Sequence, residues 1–124
     1  MRIGIDAREI CGQSTGVGRY LGHLLAAWRT APRARAHEFV LYAPAPVDPA
    51  FLSPAIVERV LPDHGGWWWE QVTLARAVAA DGIDVFFAPA YSGPVVPCPM
   101  VLTIHDVSFF AHPEWFRLRE GIDR

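Results

Sequence analysis

The stretch from Arg2 to Tyr20 constrains the fold more than any other part of the chain. It opens with a short β-rich run carrying Ile3 and Ile5, of the kind that forms a buried central strand. After Asp6 the chain turns polar and small through Gly12, Gln13, Ser14 and Thr15. Val17, Tyr20, Leu21, Leu24, Leu25 and Trp28 then recur at helical spacing and mark one apolar helix face. Strand, glycine-bearing loop and helix in that order open a Rossmann-like unit. Thr15 is placed to cap the helix, its hydroxyl accepting from an early amide. Gly16 and Gly18 follow without side chains to screen those amides, and a helix start of this kind attracts anions. Two readings stay open on these residues: a loop that approaches a phosphate, or glycines that only permit a tight turn and close packing. The spacing is not Gly-x-Gly-x-x-Gly, and no lysine completes a P-loop.

The remaining apolar runs set the architecture. Strands are expected near residues 2–6, 38–42, 56–60, 84–88 and 100–105, the third weakest because Glu58 and Arg59 interrupt it. Helix one is expected from Gly16 to Arg29, stopping before Pro32, with Gly22 packed closely against a strand. A second helix is expected through the Trp67-Trp68-Trp69 run, with Trp68, Val72, Ala75 and Ala79 sharing one face, Trp69 close by, and Gly82 as its stop. Three successive tryptophans cannot share one face at about 100° per residue, so one or two point away from the core. Prolines 44, 46, 49 and 54 mark one connection as a loop, and the run Pro89–Pro99 marks another. The fold class is therefore α/β, a mostly parallel Rossmann-like sheet with helices on both faces and strand order 3-2-1-4-5.

Composition removes several function classes. The 52% apolar content suits a well-packed domain, yet no run approaches the roughly 20 apolar residues of a membrane helix. Arg2, Asp6, Arg8 and Glu9 break up any leader-like run, so a cytoplasmic protein is expected, at most peripheral to the inner face of the membrane. A net charge of −2 with both signs interspersed gives no basic field for nucleic acid. Cys11 falls just past the end of the first strand and Cys98 just before the fifth. That separation is roughly a strand length of 17–20 Å, too far for a disulfide, so both are expected as free thiols.

In a parallel sheet ligands bind beyond the carboxyl ends of the strands. Three segments converge there: Asp6 to Gly18, Ala88 to Tyr91, and His105-Asp106. A histidine at the tip of a buried strand, as at His105, can hydrogen-bond a substrate hydroxyl, orient a backbone group, or simply be satisfied by backbone at the strand end, and either protonation state is reachable. Asp106 can hold a loop or orient a ligand hydroxyl. Neighbours on an extended strand face opposite ways, so the two do not form a catalytic pair. No nucleophile motif and no metal-ligand spacing accompanies them.

Taken in order, these motifs resemble the N-terminal domain of family-4 retaining glycosyltransferases of the GT-B fold. The matching residues are Ile3-Gly4-Ile5-Asp6-Ala7-Arg8, Thr15-Gly16-Val17-Gly18-Arg19-Tyr20, Trp68-Trp69-Glu70-Gln71 and Asp84-Val85-Phe86 leading to Ala88-Pro89-Ala90-Tyr91. Thr103-Ile104-His105-Asp106 and His112-Pro113-Glu114-Trp115-Phe116 complete the set. The resemblance implies transfer of a sugar, with retained configuration, from a nucleotide sugar to a sugar or lipid-linked acceptor, without metal or other cofactor. It places Gly16, Val17 and Gly18 toward the donor phosphates, His105 beside the transferred sugar, and Arg19, Tyr91 and Asp106 among the substrate contacts. Phe87 stands where many relatives have histidine. The family's donor domain, with its paired glutamates, has no counterpart in these 124 residues. An inactive fragment is therefore expected, with uncovered apolar surface that favours self-association.

Two other classes compete. One is a non-catalytic interaction or regulatory module that keeps the fold without the chemistry. The other is a dinucleotide-dependent oxidoreductase domain. Against the second, Tyr42-Ala43-Pro44 occupies the place of the acidic residue after strand two.

Overall fold

A computed structural model describes residues 1–12, 15–62, 66–90 and 92–104. It contains a five-stranded parallel sheet in the order β3-β2-β1-β4-β5. The strands are β1 (Arg2–Asp6), β2 (Glu38–Ala43), β3 (Ile56–Val60), β4 (Val85–Ala88) and β5 (Met100–Leu102). Order, direction and four of the five positions agree with the sequence expectation. β5 is shorter than expected, ending at Leu102, while His105 and Asp106 lie outside the described residues.

Alternation along the strands builds two cores. Ile5 is in register with Leu41 and Phe87, and these face helix α1 (Gly16–Thr30) through Leu21 and Leu25. Gly4 is in register with Val40 and Phe86 on the opposite face. That face is covered by a second helix, with Trp69, Leu74 and Val78 packed beside Tyr42 and Phe86. Gly4 is dictated by this packing. A Cβ there would come within 3.0 Å of Phe86 Cδ2 and 3.2 Å of Tyr42 Cε2, which the two rings can avoid only by moving apart.

Helix α1 begins as expected. Thr15 is its N-cap in an extended conformation, and the Thr15 hydroxyl accepts from the Gly18 amide at 2.9 Å. Gly22 differs from expectation: its close neighbour is Phe51, whose Cε1 would lie 3.3 Å from an added Cβ, and not a strand. Phe51 belongs to a 3-10 turn (Pro49–Phe51) in the β2–β3 connection, which folds back over the helix.

The second helix corrects the expected face. It starts as α over Gly66–Trp68, runs as π over Trp69–Leu74, and returns to α over Ala75–Ala80. In a π stretch the hydrogen bonds run i→i+5 and each turn takes more residues than an α turn. Trp69 and Leu74 therefore fall into line, and Ala77 and Val78 continue the buried face at α spacing. The expected face of Trp68, Val72, Ala75 and Ala79 assumed uninterrupted α geometry. Trp68 is instead 63% exposed and Trp67 70%, whereas Trp69 is fully buried. The helix stops as expected, at Gly82 with φ +65°.

β3 is an edge strand, which accommodates Glu58 and Arg59. The Glu58 carboxylate accepts from the Val47 amide at 3.0 Å. Arg59 pairs with Asp81, which also accepts from the Tyr42 hydroxyl at 2.7 Å. Burial and this carboxylate push the Tyr42 phenol well above its ordinary range. At the other edge β5 is apolar but open, with Val101 55% exposed. Cys11 and Cys98 are free thiols. Among the described residues no helix is long and apolar enough to cross a membrane.

Candidate functional site

At the carboxyl end of β1 the chain carries a charged residue into the core. Asp6 is 5% exposed, and its carboxylate is gripped by Arg8 two residues later. Arg8 donates from its amide to Oδ1 (3.1 Å), from Nε to both oxygens (3.2 and 3.1 Å) and from Nη2 to Oδ2 (2.8 Å). A 3-10 turn (Arg8–Ile10) brings the guanidinium back over the strand end. Nη2 also donates to Glu70 Oε1 at 2.8 Å, and the guanidinium lies over the Trp69 ring, 5.1 Å from its centroid.

Glu70 completes the cluster from the π stretch. It is also 5% exposed. Its Oε1 accepts from the Ser92 hydroxyl at 2.9 Å, and its Oε2 from Gln71 Nε2 at 3.0 Å. Gln71 Nε2 donates as well to the Gly93 carbonyl at 3.1 Å. Two buried carboxylates thus share one guanidinium. Burial raises the Asp6 carboxyl, outweighing the lowering by Arg8, and the Glu70 charge adds to the rise. Burial alone would lower the Arg8 guanidinium, but the two carboxylates outweigh it and hold Arg8 above its ordinary value.

Gly16, Val17, Gly18 and Arg19 come together in the first turn of α1, beside the carboxyl edge of β1. Gly16 is open, with nothing within 4 Å of an added Cβ, and Arg19 is exposed. Gly18 is buried, and its amide is committed to Thr15. The Thr15 hydroxyl donates to Glu9 Oε2 at 3.1 Å, so the positive end of the helix already faces a carboxylate. A phosphate approaching Gly16 would have to turn Glu9 aside. A small cavity of about 150 Å³ behind this turn has acidic walls, Glu9 and Asp48, with Gly12, Gly18 and Phe51. The Tyr20 hydroxyl meets Thr103 Oγ1 at 3.3 Å and ties α1 to the chain just after β5. Tyr91, His105 and Asp106 lie outside the described residues.

The packing at Gly18 gives a direct test of the helix start. A Cβ there would run into the Glu9 carbonyl and come within 3.2 Å of Thr15 Oγ1. The Glu9 contact is backbone, and rotating Thr15 away would break the cap bond to the Gly18 amide, so neither is relieved without loss. Gly18→Ala is expected to cost about 1–3 kcal/mol, measured by urea denaturation, while Gly16→Ala stays within about 0.5 kcal/mol. Equal effects at the two positions would exclude this account of the turn.

Sequence reasoning missed the most heavily bonded group in this region. Asp6, Arg8 and Glu70 stand within the runs of sequence quoted above, but no motif there marks them as site residues. The available signal was Asp6 itself, an acid at the end of a buried strand, which must find a partner. No spacing rule pairs it with a glutamate more than sixty positions away. No protein-family model, curated protein or solved structure matches the chain.

Proposed function

We propose that the chain is the acceptor-side domain of a retaining glycosyltransferase of the GT-B type. It would act with a donor-binding domain to move a sugar from a nucleotide sugar to the hydroxyl of a sugar or lipid-linked acceptor. The observation that carries the reading is the β1–α1 segment. Its glycine-bearing turn starts a capped helix at the carboxyl edge of a parallel sheet, where that fold binds ligands. The order of the motifs along the chain adds to it.

On this reading Gly16, Val17 and Arg19 face the donor phosphates, and Glu9 is the group that a phosphate displaces. Gly18 serves the turn rather than the ligand, since its amide already donates to Thr15. His105 lies beside the transferred sugar, with Tyr91 and Asp106 holding acceptor or sugar hydroxyls. No metal takes part.

The test is transfer or nucleotide release with a panel of nucleotide sugars, using the chain alone and mixed with a separately expressed donor domain. Positioning of two reactants accounts for roughly 7–11 kcal/mol of barrier lowering. One wall of a cleft cannot supply it, so turnover is expected only on mixing. In the active mixture His105→Ala should lower kcat by roughly 10²-fold with little change in nucleotide affinity. Turnover by the chain alone, or none under any condition with NADH binding in its place, would refute the reading.

A further inference from the structure

We infer that Glu70 is the positioning residue of the candidate cleft, its buried carboxylate fastening the β4–β5 connection to the β1–α1 loop. The two loops leave neighbouring strands. Glu70 Oε1 joins them directly. It accepts from Arg8 Nη2 at 2.8 Å on one side and from Ser92 Oγ at 2.9 Å on the other. Gln71, bonded to Oε2, adds a second hold on the β4–β5 connection through the Gly93 carbonyl.

The arrangement explains why a carboxylate is buried here at all. Asp6 already neutralises Arg8, accepting from its Nε, its Nη2 and its backbone amide. A second buried acid adds desolvation cost and like charge without being needed for that pair. What it adds is reach: from the second helix it touches both loops at once. Ser92 and Gly93 come from a connection rich in proline, with Pro89, Pro94, Pro97 and Pro99. Such a segment cannot supply many backbone hydrogen bonds to hold itself in place. The inference rests on the proposed transfer reading for the purpose of the cleft, and not for the tether.

The chain carries its own reporters. The Tyr91–Ser92 bond is a chymotrypsin site next to the tether residue Ser92, and release of Ser92 raises the rate of cleavage there. Cys11, three residues past Arg8, reports on the other loop through its alkylation rate. Cleavage after Tyr42, within β2, reports on global unfolding. Rates for each variant are normalised to those of the urea-unfolded chain. Glu70→Ala is expected to raise cleavage at Tyr91–Ser92 at least tenfold more than cleavage after Tyr42, and to raise Cys11 alkylation less than twofold, because Asp6 still holds Arg8. Ser92→Ala should raise the Tyr91–Ser92 rate severalfold and leave Cys11 unchanged. Glu70→Gln keeps an oxygen that accepts from both Arg8 and Ser92 but sets its amide nitrogen against Gln71 Nε2, so it should fall between the parent and Glu70→Ala.

The tether is overturned if all sites accelerate in parallel, if Glu70→Gln behaves like Glu70→Ala, or if Ser92→Ala leaves the Tyr91–Ser92 rate unchanged. Should Glu70→Ala fail to fold, Ser92→Ala and Glu70→Gln decide the matter. The transfer assay is a separate arm. Absent transfer with a released loop removes the glycosyltransferase reading and leaves the tether standing.

Discussion

Arg8→Leu is expected to destabilise the domain by about 3–5 kcal/mol at neutral pH, because it leaves uncompensated charge in the interior. Asp6 and Glu70 are each 5% exposed, and each loses its only cation among the described contacts. The loss should shrink as the pH falls. Burial already raises Asp6 above its ordinary 3.8 in the parent. The folded state therefore holds a proton that the unfolded chain releases, and this group's contribution to stability declines as pH rises through that window. Without Arg8 the lowering influence on Asp6 is gone, so the folded carboxyl titrates higher still and the decline extends toward neutrality. Urea denaturation at pH 5 and pH 7.5 checks the sign: the gap between variant and parent should be smaller at pH 5. A pH-independent loss would mean that the packing of Arg8 matters more than its charge. Adding Asp6→Asn and Glu70→Gln to Arg8→Leu should recover most of the loss at neutral pH, since no buried charge then remains.

The second large effect is at Trp69. Trp69→Ala is expected to cost about 3–5 kcal/mol. The ring is fully buried, packs with Leu74 and Val78, and lies under the Arg8 guanidinium. Its Nε1 donates to the Leu61 carbonyl at 2.9 Å, and that acceptor would lose its partner. Trp67→Ala and Trp68→Ala should each stay within about 0.5 kcal/mol, because both rings are mainly in solvent. Denaturation midpoints of the three variants decide the point. A large loss at Trp68 with a small one at Trp69 would restore the face expected from uninterrupted α geometry.

That contrast separates what periodicity can show from what it cannot. The strands and their order were legible because apolar runs, helical spacing and proline loops each act over a few residues. Thr15 and the start of α1 were legible for the same reason. The second helix was misread at one point only. A π turn leaves no composition signal, and it shifts every later position on the buried face. Gly22 was assigned a strand neighbour because strands are the usual partners of helices in such a sheet. Its contact is Phe51, delivered by a connection whose path depends on tertiary packing. The Asp6–Arg8–Glu70 cluster was hidden because charge pairing across elements depends on orientation, which local patterns do not encode.

The π stretch carries a consequence for how this helix tolerates change in length. Its first half must aim Glu70 at the strand ends, and its last half must aim Val78 into the core. A plain α-helix of this sequence would meet one demand and miss the other, since the two are out of phase by one residue. Deleting a single residue between Glu70 and Leu74 would give the backbone its preferred hydrogen bonding and still damage the protein. The helix would have to choose between its anchor in the loops and its anchor in the sheet. The irregular turn works as a phase adjuster, and shortening this segment should be tolerated less well than substituting any one of its exposed side chains.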